Sequence, residues 1–389
     1  MRKQIDNKRI TVFPEGRITS SNADEFEAEI NNMLGHDDTE LVIDAGDVEY
    51  VSSAGLRVLL KLSKRLSHTV TVMNVNKDLY DIFDDTGFTN ILNIEKKMRT
   101  VSVDGCEMIG EGAFGKVYRI DEDTIVKVYE GEDSLPLIRK ERQRSKQAFI
   151  KGIPTAISYD IVRVGNGYGS VFEMIKANNL CQLIINDSEH MDEHIVKYVQ
   201  LIKKIHEIEI GDGELPQAVD VFVNYTEELK GKVPDDVLSG MRKLLAEMPQ
   251  SNHIVHGDLH VKNVMVTEDE PLVIDMETVA AGAPIFDLQA LFVAYIAYNE
   301  DDHENSLHFM GLSEPVCNYI WDRLMKLYFE RLDEEQIKIR EDKIKLLGYL
   351  NFLYKIEILN LTSAELKEVR SLHTVEKMRE LLKRVDSLL

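Results

Sequence analysis

The stretch Ile254-Val-His-Gly-Asp-Leu-His-Val-Lys-Asn263, followed after one short hairpin by Val273-Ile-Asp-Met-Glu277, narrows the choice of fold more than any other part of this chain. It sets Asp258 five residues before Asn263 and returns a second carboxylate, Asp275, within a hairpin's reach. A carboxylate that can orient and deprotonate a hydroxyl, beside an amide and a carboxylate that can hold magnesium, is the set that phosphoryl transfer from ATP requires. Such transfer asks for positioning and charge neutralisation more than for covalent help. A lone H-x-D-x-x-x-x-N is weak evidence, so the rest of the chain must supply the nucleotide-binding parts.

Upstream, Ile109-Gly-Glu-Gly-Ala-Phe-Gly-Lys-Val117 reads G-x-G-x-x-G-x-V, with Gly110, Gly112 and Gly115. Glycine lets backbone N–H groups approach phosphate oxygens with no Cβ in the way. Residues 117–120 and 124–129 read as strands on either side, whereas a dinucleotide-binding turn runs from strand into helix. The return strand carries Lys127, twelve residues after Gly115, placed to grip the α/β-phosphates. A helix predicted over 137–148 carries Glu141 as its ion-pair partner. Residues 171–175 fit a hinge between lobes, where backbone groups of Glu173 to Ile175 would meet adenine; alone, the segment also fits an ordinary buried strand.

Through His256-Gly-Asp-Leu-His-Val-Lys-Asn263, Ile274-Asp-Met-Glu277 and Phe286-Asp-Leu288, residues 100–389 resemble the aminoglycoside phosphotransferase and choline kinase group. That group is the small-molecule branch of the protein-kinase-like fold. The resemblance implies Asp258 as catalytic base, Asn263 and Asp275 as magnesium ligands, and Asp287, with His256, as support for the catalytic loop. Where the family usually reads Pro-Gly before the asparagine, this chain has Val261-Lys262.

Only eleven residues separate Asp275 from Asp287, and no A-P-E follows. A protein kinase needs a longer activation segment there to seat a peptide, so a small-molecule acceptor is favoured. Apolar residues at 195, 199, 202 and 205 predict a helix over 194–206, with further helices at 216–229 and 234–247. A helix is expected over 287–298. Ser313 is an expected N-cap for a helix over 314–332, with two more near 334–360 and 363–389. Aromatic residues concentrate there, most of them at core spacing. The scattered histidines, His303 and His308 among them, lack metal-ligand spacing.

The first hundred residues alternate strand and helix: strands at 8–17, 39–44, 69–75 and 90–94, helices from 21 or 22 to 33, from about 53, and over 76–85. The pattern predicts an α/β layer. The segment from Leu41 to Arg57, with Val51-Ser-Ser-Ala-Gly-Leu56 at its end, resembles the STAS domain of anti-sigma-factor antagonists. In that family a serine opening this helix is phosphorylated by a partner kinase. Matched on the Gly-Leu pair, that serine is Ser53, and Ser52 stands where many members carry Asp. A serine there also has a plain structural reading as a helix cap, and both readings stay open.

The expected fold is thus an α/β STAS-like regulatory domain, 1–98, followed by an α+β bilobal kinase-like domain, 99–389. Its N-lobe would span about 99–176 and its largely helical C-lobe 177–389. No apolar run opens the chain and none approaches the roughly 18 residues of a membrane span. Cys106, Cys181 and Cys317 are too scattered for a disulfide framework, so a cytoplasmic protein is expected. The net charge of −22, with only 13 basic against 17 acidic residues in the first hundred, argues against nucleic acid and is compatible with a cationic acceptor such as an amino sugar or choline-like amine. Three readings remain. One is a magnesium- and ATP-dependent small-molecule kinase with a STAS-like regulator or protein-docking module. Another is a protein serine kinase acting on STAS-type targets, Ser53 included. The third is an inactive nucleotide-binding module, against which the full set of Lys127, Glu141, Asp258, Asn263 and Asp275 speaks.

Overall fold

The computed structural model describes residues 1–6, 9–34, 40–112, 115–129, 131, 134–267 and 270–389. The chain forms two compact units, Met1–Ser102 with Ile161–Gly165, and Val103–Asp160 with Asn166–Leu389.

In the first unit the strands are β1 (Arg2–Asp6), β2 (Arg9–Phe13), β3 (Glu15–Ile18), β4 (Glu40–Asp44), β5 (Asp47–Val51), β6 (Thr71–Val75) and β7 (Asn93–Lys96). The helices are α1 (Ala23–Met33), α2 (Ser53–Arg65) and α3 (Lys77–Asp85). The main sheet runs β1-β2-β4-β6-β7; β1 and β2 are antiparallel and the other pairs parallel. In β4, Leu41, Val42 and Ile43 are all buried, the continuous apolar run of a strand covered on both faces. Helix α1 buries Ala23, Phe26 and Ile30, a three-to-four-residue stripe. Asn76 caps α3 by accepting from the Leu79 N–H at 2.9 Å.

Several expectations shift here. The strand expected over 8–17 breaks at Pro14, which has no N–H for a ladder, and β3 leaves to pair in parallel with β5. Neither β1 nor β5 is expected from the alternation. The last strand starts at Asn93 because Phe88–Asn90 forms a 3-10 turn behind Gly87, whose φ is +75°. Lys8 and Thr39, the starts of two expected strands, lie outside the described residues.

The second unit opens with β8 (Glu107–Gly112), β9 (Gly115–Arg119), β10 (Thr124–Tyr129), α4 (Leu135–Ile150) and β12 (Gly167–Glu173), in the sheet order β12-β10-β9-β8; the intervening β11 (Asp160–Val164) belongs to the first unit from Ile161 on. The rest is mostly helical. It contains β13 (Asn178–Asn179), α5 (Leu180–Asn186), α6 (Met191–His206), α7 (Ala218–Glu228), α8 (Asp235–Ala246), β14 (Ile254–Val255), β15 (Val264–Val266), β16 (Pro271–Val273) and β17 (Ala280–Ala281). It ends with α9 (Ile285–Tyr295), α10 (Asn305–Met310), α11 (Glu314–Tyr328), α12 (Glu334–Glu357) and α13 (Ala364–Leu382).

The core of this part gathers Phe292, Trp321, Tyr349 and Phe352, the C-terminal aromatics. Phe292 meets Trp321 and Tyr349 edge-on, with centroids 5.7 and 5.0 Å away. Helix α12 can approach α9 this closely because position 348 is glycine: a Cβ there would fall 2.6 Å from Phe292 Cδ1. The expected helix over 287–298 instead spans 285–295 and yields to a 3-10 turn. Helix α11 stops at Tyr328, not 332, and Ser313 occupies its N-cap position without a side-chain cap bond. Among the described residues no helix is long and apolar enough to cross a membrane, and Cys106, Cys181 and Cys317 form no disulfide.

Candidate active site

Lys127 lies in the middle of β10, opposite Val117 of β9 and Ser170 of β12. Its side chain is only 15% exposed, and its ammonium meets three carboxylates: Asp275 at 2.8 Å, Glu141 at 3.3 Å and Glu277 at 3.7 Å. Burial works against the charge of Lys127, but Asp275 and then Glu141 hold it protonated well above the ordinary lysine value. Glu141 is buried on α4 and also accepts from the Tyr129 hydroxyl. Burial, with Asp275 alongside, pushes the Glu277 carboxyl above the usual carboxylate range, and Lys127 opposes the shift. Arg144 donates to the Glu277 carbonyl and so ties α4 to the same turn.

The strands β8 and β9 form the glycine-rich hairpin, with Gly110 paired to Val117 and Gly112 to Gly115. Ala113 and Phe114 at its tip lie outside the described residues. Glu173 ends β12 opposite Thr124, three residues along the ladder from Lys127, and Ile175 follows half-buried. These two therefore sit apart from the ion cluster, at the end of the sheet.

The loop after β14 carries Asp258, and Asp287 at the start of α9 holds it. The fully buried Asp287 carboxylate accepts from the Gly257 N–H at 2.5 Å, from the His256 N–H at 3.0 Å and from His206 Nε2 at 2.9 Å. Burial works against the charge of this carboxyl; His206 and, with it, the Gly257 amide outweigh that and keep Asp287 below its ordinary range. His256 accepts from the Asp258 N–H at Nδ1, 3.3 Å, and its Nε2 donates to the Ile274 carbonyl, 3.0 Å. Two buried tyrosines complete the support. Tyr198 donates to the Leu259 carbonyl, and the Tyr295 hydroxyl accepts from the Val261 N–H at 3.1 Å.

Within this frame Asn263 donates to the Asp258 carbonyl at 2.8 Å and to its Oδ2 at 3.4 Å, leaving Asn263 Oδ1 as an oxygen donor for a cation. The Asp258 side chain is about a third exposed at 31%, so a hydroxyl can reach it. Burial raises its proton affinity, but His260, Lys355 and His256 outweigh that and hold the carboxyl below its usual value. Glu141, Asp275 and Glu277 can place one oxygen each within 4.8 Å of the others. An all-oxygen set of this kind suits magnesium and not zinc.

Backbone shape contributes too. Gly257 has φ +83°, and a Cβ there would come 2.9 Å from both Cβ and the carbonyl of Thr278. Gly257→Ala is expected to lose about 1–2 kcal/mol from the left-handed conformation alone, and more from the clash. Thermal unfolding will check this: an unchanged midpoint would mean the loop adopts another conformation in solution.

The structure thus gathers Lys127, Glu141 and Asp275 in one cluster, and His256, Asp258, Asn263 and Asp287 in another. Glu277, Tyr129, His206, Tyr198 and Tyr295 are not among the residues expected from sequence. Glu277 stands two residues after Asp275 and could have been found there; the others lack any local signal. Ser53 belongs to the first unit, and the cap reading moves off it. Ser52 is the N-cap of α2, accepting from the Gly55 N–H at 3.4 Å, while Ser53 is the first helical residue and is exposed.

Residues 106–311 match the phosphotransferase enzyme family, and residues 2–101 match the STAS domain. Over 94 residues the chain is 30% identical to BtrV of Bordetella bronchiseptica, named as a candidate anti-sigma factor antagonist; the match covers 23% of this chain and 80% of that protein. Among solved structures, a choline/ethanolamine kinase family protein from Mesorhizobium loti aligns at 17% identity and TM-score 0.45, covering 72% of this chain and 88% of that one. Aminoglycoside phosphotransferase APH(3'')-Id from Streptomyces rimosus aligns at 17% identity and TM-score 0.40, covering 58% and 93% respectively.

Proposed function

Since the chain belongs to the phosphotransferase enzyme family and carries a STAS domain ahead of it, we propose that it transfers a phosphoryl group from ATP, with magnesium, to a hydroxyl of a small molecule. The observation that carries this reading is the pairing of two clusters: Lys127 joined to Glu141 and Asp275, and Asp258 joined to Asn263 on a loop held by Asp287. Asp258 takes the proton of the acceptor hydroxyl at its carboxylate. Lys127 and the backbone of Gly110, Gly112 and Gly115 hold the phosphates, and Glu141 orients Lys127. Glu173 and Ile175 receive adenine through their backbone. Asn263 and Asp275 hold magnesium, which, when bound, neutralises charge on the phosphate oxygens.

In this reading residues 1–98 form a regulatory or protein-docking domain. Residues 99–389 form the catalytic domain, with lobes at about 99–176 and 177–389. In this reading the reaction runs in the cytoplasm, where ATP is supplied, and the net charge of −22 supports a cationic acceptor, an amino sugar or choline-like amine. One observation favours a second reading, a protein serine kinase acting on STAS-type targets. The Ser53 hydroxyl is exposed and, since Ser52 does the capping, is not held by the helix.

A transfer assay with labelled ATP separates the two. Label on a member of a panel of amino sugars and choline-like amines, with none on protein, supports the first. Label that maps to Ser53 with no acceptor added supports the second. No transfer to either, from protein that binds ATP, would overturn both.

A further inference from the structure

Away from the ATP-side cluster, the helical part of the second unit holds a cavity of about 630 Å³ among the end of α6, the start of α9, the end of α11 and the middle of α12. That volume falls in the range of small-molecule sites, roughly 300–1,000 Å³. Its apolar lining includes Ile285, Leu288, Phe329 and Ile344. Its rim inverts the charge of the chain: four basic side chains, Lys203, Arg331, Arg340 and Lys343, stand against two acidic ones, Glu207 and Glu330, with the backbone of Leu389 alongside. Glu330 is already paired with Lys203 at 2.8 Å. Lys343 reaches the Leu389 carbonyl. Arg340 and Arg331 stand at the rim, and Arg331 adds to Lys203 in holding the Glu330 carboxyl low.

Tyr328 lines this cavity and also begins a hydrogen-bonded route to the catalytic loop. Its hydroxyl lies 2.8 Å from His206 Nδ1, and His206 Nε2 donates to Asp287 at 2.9 Å. Asp287 in turn accepts from the His256 and Gly257 amides. With Nε2 protonated, a neutral His206 ring leaves Nδ1 to accept from Tyr328.

We propose that this cavity is a regulatory site for a small amphiphilic anion. Its apolar body lies on Ile285 and Leu288, its anionic head meets Arg331 and Arg340, and its binding tightens the catalytic loop through Tyr328, His206 and Asp287. A ligand that binds only the packed arrangement suppresses the openings that destroy its site. The loop amides, anchored through the same chain of bonds, should open less often with it.

The test uses the full chain and 8-anilinonaphthalene-1-sulfonate, an aromatic body with one sulfonate, in saturating ADP to keep the probe out of the nucleotide cleft. Saturable fluorescence is expected, with the Kd raised at least about tenfold in the double variant Arg331→Glu, Arg340→Glu, roughly the loss of one charge-assisted contact. At ten times the Kd, hydrogen exchange across 254–263 should slow by about tenfold, while peptides of residues 1–98 stay unchanged. Tyr328→Phe should bind the probe but lose the slowing. Binding that is unsaturable, or indifferent to the arginines, overturns the site. Binding without slowing, or slowing that persists in Tyr328→Phe, overturns the coupling. None of these readouts involves phosphoryl transfer, so they stand apart from the fate of the proposed activity.

Discussion

Asp258→Asn should lower the rate of transfer to the acceptor by about 10²–10⁴-fold, the range that a positioned general base contributes. The amide has nearly the shape of the carboxylate, and the Asn263 bond to the Asp258 backbone carbonyl at 2.8 Å does not involve the replaced group. The loop should therefore keep its conformation, and ADP affinity, read by calorimetry, should change little. What is lost is the acceptor for the hydroxyl proton, in a carboxylate that its neighbours hold ionised at neutral pH. Slow ATP hydrolysis in the variant is no objection, since water can act as an adventitious nucleophile. Transfer at the wild-type rate would be one, and would assign the base elsewhere.

Asp287→Ala should produce the largest loss of stability. It deletes the common acceptor of the His256 and Gly257 amides and of His206, leaving three donors buried without a partner. Leaving a buried donor without a partner typically costs about 1–3 kcal/mol, so three together cost several kcal/mol, which for a unit of this size is on the order of 10 °C in Tm. The pH dependence has a definite sign. A carboxyl held low in the folded state stabilises at pH values above its unfolded pKa, about 3.9, and that contribution fades as pH falls through the folded value. The gap between wild type and variant should thus be full at pH 7 and narrow only below about pH 4. Melting curves at several pH values will check both points. Equal melting temperatures at pH 7 would show that water or another side chain replaces the carboxylate.

Legibility in the sequence followed how locally each constraint acts. The glycines of the β8–β9 hairpin, and the spacing of Asp258 and Asn263, are short-range demands of backbone and charge, so a linear pattern displays them. The same holds for the stripe of α1 and the buried run of β4. His206 and Asp287 meet across 81 residues, and Tyr198 and Tyr295 across 97. A polar residue at the end of an apolar helix carries no mark of such a meeting. Neighbouring serines posed a different problem. Ser52 and Ser53 are equivalent by composition, and only the extended backbone of Ser52, φ −83° and ψ 169°, makes it the cap. Pro14 was open to reading, since its missing N–H argues for a break in the strand, but the alternation around it hid that.

Asp275 has φ +67° and ψ 62°, left-handed space that few side chains enter cheaply. The position filters substitutions twice. The backbone admits Gly, Asn and Asp, and the ion cluster around Lys127 calls for a carboxylate; Asp alone belongs to both sets. Glu keeps the charge but not the local backbone comfort, so no stepwise route leads from one acid to the other without strain. A descendant of this chain that abandons catalysis while keeping its shape therefore has an easy exit, Asp275→Asn, one nucleotide away in the genetic code. That change in a relative would be the mark of a duplicate retained for binding.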